Sequence, residues 1–204
     1  MVMKGFQWFT STEFSPWVEK KVELKAATTD DIGSVKANLT LTNETFQTLE
    51  GFGGCFNELG YVALGRLPDH ERAEVMHSLF HPEGEQRFSI CRLPIGASDY
   101  ALDWYSLNEH DGDYAMEHFS VERDRQMLIP FIKEALELNP ELKLFASPWS
   151  PPTWMKFPKA YNYGTLRWEP EILEAYALYF VKFVEAYRAE GITIHQVHVQ
   201  NEVV

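Results

Sequence analysis

The 204-residue sequence predicts an α/β fold: the first half, strands one to four, of a parallel (β/α)8 TIM barrel. Three observations predict it. From residue 46 onward strand-like and helix-like runs take turns, which is the pattern of parallel strands covered by helices. Two of the connections that follow strands, Ala97 to Phe119 and Trp149 to Glu169, far exceed the usual two to six residues, as loops shaping a cleft on one rim would. The glycine run Gly51-Phe-Gly-Gly54 fails the Gly-x-Gly-x-x-Gly spacing of an open dinucleotide-binding sheet, so the barrel is favoured over the doubly wound alternative.

Each element has a local reason. Residues 1–30 are aromatic but aperiodic. Ser34 to Thr42 alternates, with Val35, Ala37, Leu39 and Leu41 on one face, as a half-buried antiparallel strand does. Phe46 to Gly54 reads as a buried strand whose glycines let it bend or approach another backbone closely, followed by a short helix around Leu59 to Leu64. Pro68 and Asp69 open a helix carrying Val75, Met76, Leu79 and Phe80, stopped by Pro82. Arg87 to Ile95 is a second strand. Ser120 can cap a helix with the stripe Leu128, Phe131, Ile132, Ala135 and Leu136. Lys143 to Ser147 is a third strand. A long helix runs from Pro170 to about Glu190 before Gly191, with Leu173, Tyr176, Ala177, Phe180, Val184 and Tyr187 on its apolar face. Ile192 to Gln200 is a fourth strand. A complete barrel needs eight strands and about 250 residues, so the chain reads as a fragment with residues 46–204 forming half a barrel.

Composition narrows the function. Acidic residues outnumber basic ones 30 to 18, and the resulting charge of −12 disfavours nucleic acid and anionic membrane surfaces as partners. Two cysteines cannot build a disulfide framework or a four-ligand zinc site. His195 and His198 sit three apart in a strand, hence on opposite faces, and His77 and His81 lack an obvious carboxylate partner. No metal and no cofactor is expected. No run of 18 apolar residues is long enough to span a bilayer. No signal peptide is visible, which leaves a cytoplasmic protein and a mature secreted one as the alternatives.

In parallel barrels the chemistry follows the C-terminal ends of the strands. That rule selects Gly53 to Glu58, Gly96 to Tyr100, Ser147 to Trp154, and Asn201-Glu202. Trp149, Trp154, Trp168, Tyr161 and Tyr163 crowd one of these loops, and Trp104 and Tyr105 another. Aromatic faces beside carboxylates suit sugar rings. Glu202, ending a strand beside an amide, is the candidate acid. Glycoside cleavage needs two carboxyls flanking the bond, and by spacing alone either Asp99 or Glu58 could be the second.

Four motifs stand in order: Gln47-Thr-Leu-Glu-Gly-Phe-Gly-Gly54, Arg92-Leu-Pro-Ile-Gly-Ala-Ser-Asp99, Ser147-Pro-Trp-Ser-Pro-Pro-Thr-Trp-Met-Lys156 and Gln200-Asn-Glu202. Together they resemble glycoside hydrolase family 30, which includes the glucosylceramidases. The resemblance implies a retaining β-glycosidase acting on β-glucosides, β-xylosides or glucosylceramide-like glycolipids. The fold it implies is a (β/α)8 barrel preceded by part of a side β-sandwich, to which residues 1–45 contribute. It further implies Glu202 as general acid/base, Asn201 as the amide near the sugar 2-hydroxyl, and Arg92 beside the catalytic carboxylates, where its charge would keep a neighbour ionised. Asp99 and Trp149 become sugar ligands, which demotes Asp99 as a nucleophile. The family's nucleophile, a glutamate after strand seven, matches no position here, so this chain alone should be inactive. The competing reading is a non-catalytic half-barrel that binds sugar or pairs with another chain, the absent C-terminal half being one such partner.

Overall fold

The structure is a computed structural model that describes residues 7–21 and 42–202. The expected strand at 34–42 lies outside the described residues except for Thr42. The chain divides into two compact units, residues 1–47 and 48–204.

In the first unit, β1 (Trp8–Thr12) and β2 (Ser15–Lys20) form an antiparallel hairpin. Aperiodicity hid it for a physical reason. The pairing register shifts between Thr10 and Thr12, and Trp17 takes a positive φ of 54°, so side chains do not alternate simply. Phe9 and Trp17 stack at 5.2 Å between ring centroids.

The second unit is a parallel sheet with helices on one face. β3 (Ile90–Pro94) pairs with β4 (Lys143–Ser147), which pairs with the short β7 (Gln196–Val197), while β5 (Lys156–Phe157) and β6 (Thr165–Leu166) form a separate antiparallel pair. A further segment lies on the other side of β3. The Ser89 N–H donates to Phe52 O, the Arg92 N–H to Gly54 O and the Phe56 N–H to Arg92 O, and Cys55 bridges Arg92 in parallel. This is the expected first strand, but it is irregular and not buried: Phe46, Leu49 and Phe52 are exposed. The glycines explain both its closeness and its irregularity. A Cβ on Gly53 would sit 1.7 Å from Ile90 O, so only glycine fits where the two backbones meet.

Alternation along the sheet sorts the side chains. Cys91, Leu93, Leu144 and Ala146 are buried against the helices, while Arg92 and Phe145, paired in register, take the opposite face. Burial pushes the Cys91 thiol up to about 11, so it is a packing group. Four helices cover the sheet: α1 (Glu58–Leu64), α2 (Asp69–Phe80), α3 (Leu128–Leu138) and α4 (Pro170–Ala189). Asn57 caps α1, its Oδ1 accepting the Gly60 N–H at 2.7 Å. α2 buries Met76 and Phe80 and ends as His81 turns extended before Pro82. α3 buries Leu128, Phe131, Ile132 and Ala135 as the stripe predicts, yet begins eight residues after Ser120, across a 3-10 turn at Asp124–Gln126. Leu128, Ile132, Ile172 and Phe183 are fully buried, each contributing roughly 1.5–3 kcal/mol.

The face of α4 differs from expectation. Tyr176 and Tyr187 are buried as expected, but Ile172, Ala175, Tyr179 and Phe183 complete the buried line, while Ala177 is exposed and Leu173, Phe180 and Val184 are half-buried. Apolar residues spread over a wide arc of this helix, and the sheet selects the arc that faces it.

Candidate active site

Three neighbouring strands supply the site. β3 gives Arg92 from its middle, β4 runs into Pro148-Trp149, and the chain after β7 supplies Gln200, Asn201 and Glu202. Regular pairing of β4 with β7 stops at Ala146–Val197, and the His198 N–H still reaches Ala146 O at 2.8 Å. Beyond that the connection changes character. The Asn201 N–H donates to Pro148 O at 2.9 Å, and Gln200 Nε2 donates to Trp149 O at 2.9 Å.

Arg92 Nη2 donates to Asn201 Oδ1 at 2.5 Å, a contact spanning 109 residues of sequence. The same guanidinium lies 5.7 Å from the centroid of the Trp149 ring. Arg92, Asn201 and Trp149 are thus brought together, all half-buried, with Glu202 exposed next in the chain. Arg92 Nε, Trp149 Nε1 and Ser147 Oγ are buried with no hydrogen-bond partner among the described residues. A buried orphan donor costs about 1–3 kcal/mol, and a bound acceptor would remove that cost at Arg92 Nε and Trp149 Nε1.

Asp99 is exposed and lines a cavity of about 220 Å3 with Ser98, Leu102 and Trp104. The other spacing-based candidate, Glu58, is not available. It is 3% exposed, its carboxylate takes Arg123 Nε at 3.0 Å and Nη2 at 3.1 Å, and it accepts the Leu102 N–H at 2.7 Å. Glu58 therefore anchors the loop after β3 and is corrected from candidate carboxyl to structural ion pair.

The aromatic cluster also divides. Trp154 is buried, its Nε1 donating to Asn108 O at 3.1 Å and its ring edge-on to Tyr114. It welds the two long loops together, aided by Thr153 with Glu109 and Lys159 with Asp111. Trp104 stacks on Tyr161 at 5.7 Å, again across the two loops. Trp168 and Tyr163 are exposed. Lys156 is buried, donating to Ser150 Oγ and Tyr161 O, and burial lowers the pKa of its ammonium.

One buried group had no signal in the sequence. Asp124 is fully buried and accepts from Tyr105 Oη and Tyr187 Oη, each at 2.8 Å. Burial pushes its carboxyl up to about 6 against the two hydrogen bonds that pull it down, with the nearby Glu58 charge adding to the rise. Only the tertiary packing of α4 against this loop creates that environment.

Comparison with known proteins bears on this geometry. Residues 49–204 match the family model described as the glycosyl hydrolase family 30 TIM-barrel domain. A glucosylceramidase-named protein of Caenorhabditis elegans is 36% identical over 171 residues, 81% of this chain and 33% of its own length. The crystal structure of SrfJ from Salmonella typhimurium superposes with a TM-score of 0.70 at 34% identity, covering 78% of this chain and 35% of that one. An endo-β1,6-glucanase superposes with a TM-score of 0.69 at 32% identity, covering 78% and 36%. The chain spans about a third of the length of the curated relatives it matches.

Proposed function

The chain belongs to glycosyl hydrolase family 30 as part of its TIM barrel, and on that premise we propose that it carries the acid/base side of a retaining β-glycosidase active site. In this reading Glu202 protonates the departing glycosidic oxygen and later deprotonates the water that releases the sugar. Asn201 presents its amide to the sugar 2-hydroxyl. Trp149 and Asp99 hold the ring and its hydroxyls. Residues 1–45 contribute to a side β-sandwich, and residues 46–204 form the first half of the catalytic barrel.

The observation that carries the reading is the bond from Arg92 Nη2 to Asn201 Oδ1. With Oδ1 engaged by a charged donor, the amide orientation is set and its Nδ2 hydrogens are left for a substrate acceptor. The orphaned Arg92 Nε and Trp149 Nε1 are two further donors beside it. A polyhydroxylated sugar and an ionised carboxylate are acceptors of the right kind.

Retention requires a second carboxyl about 5–5.5 Å from the first. Glu58 is consumed by Arg123, and Asp99 is assigned to sugar hydroxyls. We therefore propose that the nucleophile comes from the part of the family's domain that these 204 residues do not span. The substrate class is a β-linked carbohydrate or glycolipid. The test is the anomer first released from an aryl β-glycoside by the polypeptide that supplies both carboxyls, followed by proton NMR. The β-anomer supports double displacement, whereas first release of the α-anomer overturns it.

A further inference from the structure

Gln200 precedes the Asn-Glu pair and has no part in the chemistry above, yet its side chain is committed. We propose that Gln200 is a positioning residue that sets the place of Trp149; its consequence for sugar binding rests on the reading of Trp149 as an aromatic wall of the sugar site.

Between β4 and β7 the ladder stops with the His198 N–H on Ala146 O. The next residues of β4's chain, Pro148 and Trp149, have left the strand, and a main-chain ladder no longer fixes their carbonyls. Two groups from one short segment take over: the Asn201 N–H holds Pro148 O, and Gln200 Nε2 holds Trp149 O, both at 2.9 Å. The first is a main-chain bond that any residue but proline at 201 would make. The second depends on the Gln200 side chain, since only a donor of that reach at that position can satisfy the Trp149 carbonyl.

The far side of Trp149 is held differently. Its ring faces the Arg92 guanidinium at 5.7 Å, and its Nε1 is buried without a partner. The indole is therefore fixed by its backbone on the Gln200 side and by its ring on the Arg92 side, with its donor left free. Arg92 in turn holds Asn201, so the circuit closes: Gln200 to Trp149, Trp149 to Arg92, Arg92 to Asn201, and Asn201 adjoining Gln200. Cutting the circuit at Gln200 releases the Trp149 backbone while leaving Arg92 on Asn201. Loss of Gln200 should therefore move the aromatic wall and weaken sugar binding about five- to tenfold, and spare the groups that transfer protons.

The experiment follows the Trp149 indole N–H by 15N–1H NMR in the polypeptide that supplies both carboxyls, with Trp149→Phe assigning the line. Gln200→Ala should shift or broaden that line while the melting temperature stays close to that of the unsubstituted chain. Gln200→Glu keeps the size but, ionised, has no donor for the carbonyl. It should perturb the same line at neutral pH and restore it in acid, when the protonated carboxyl can donate. A lowered melting temperature with an unmoved Trp149 line, or a Gln200→Glu perturbation insensitive to pH, would overturn the positioning role. Titration with methyl β-D-glucoside separates the two readings. A glucoside that moves the Trp149 line in the unsubstituted chain, and does so less effectively in Gln200→Ala, supports both. A glucoside without effect on the unsubstituted polypeptide that supplies both carboxyls removes the wall reading and its consequence, while the Gln200 result on the indole stands by itself.

Discussion

Arg92 and Asn201, 109 residues apart in sequence, meet through a hydrogen bond from guanidinium Nη2 to amide Oδ1 at 2.5 Å. The bond joins the middle of β3 to the segment after β7, whose side chains would otherwise be oriented independently. Its donor is charged, which makes it about twice as strong as a neutral bond. Replacing Arg92 by Ala should free the Asn201 amide and remove the cation beside Trp149. Replacement by Lys should rescue little, because a point ammonium cannot reproduce a planar fork that reaches Asn201 and faces an indole together. The Asn201 side-chain NH2 resonances report this directly: both variants should collapse their dispersion, and an unchanged pair of lines in Arg92→Lys would show that charge alone suffices.

Glu58, buried at the start of α1, and half-buried Arg123 form a bidentate pair. Glu58→Ala should lower stability by about 1–3 kcal/mol, because the Leu102 N–H and the half-buried Arg123 guanidinium lose their acceptor. Urea unfolding measures the loss. A cost below about 1 kcal/mol would mean that the pair behaves as a surface salt bridge.

Asp124 gives the chain a pH-dependent stability with a defined sign. Its carboxyl is raised from the ordinary aspartate value to about 6 in the folded state. The contribution is therefore fully present below about pH 4, the unfolded value, and is lost as pH rises through about 6. The total change is on the order of 3 kcal/mol. Asp124→Asn should flatten the difference between stabilities measured at pH 4.5 and pH 7.5, relative to the unsubstituted chain. An identical slope in both proteins would assign the pH dependence elsewhere.

The tryptophans should separate by burial. Trp154→Ala removes a buried ring and its bond to Asn108, and should cost about 3–5 kcal/mol. Trp168 is 83% exposed, and Trp168→Ala should change stability by less than about 0.5 kcal/mol. Parallel urea titrations decide, and equal effects would contradict the division of the cluster.

What the sequence disclosed follows from the range of the forces involved. Lys143 to Ser147 was legible to the residue because it is a short apolar run between clear breaks, and the start of α4 because Pro170 marks it. The face of α4 was not, since Ile172, Tyr179 and Phe183 compete with Leu173, Phe180 and Val184 and only the sheet chooses between them. Arg92, Asn201 and Trp149 could be named from their motifs, but the bond that joins Arg92 to Asn201 is a tertiary fact. Glu58 and Asp99 look equivalent as acidic residues after strand ends. Arg123, 65 residues beyond Glu58, distinguishes them. Asp124 had no local signal at all, because its two tyrosines come from distant segments.

The role of Glu202 is the central claim, and leaving-group dependence tests it most directly. Rates are compared for aryl β-glycosides with good and poor leaving groups, using the polypeptide that supplies both carboxyls and its Glu202→Gln variant. Glu202→Gln should lose about 10²–10⁴-fold on poor leaving groups, which need protonation, and far less when the departing phenolate needs no proton. An equal loss on both classes, or no loss on either, would contradict Glu202 as the acid/base.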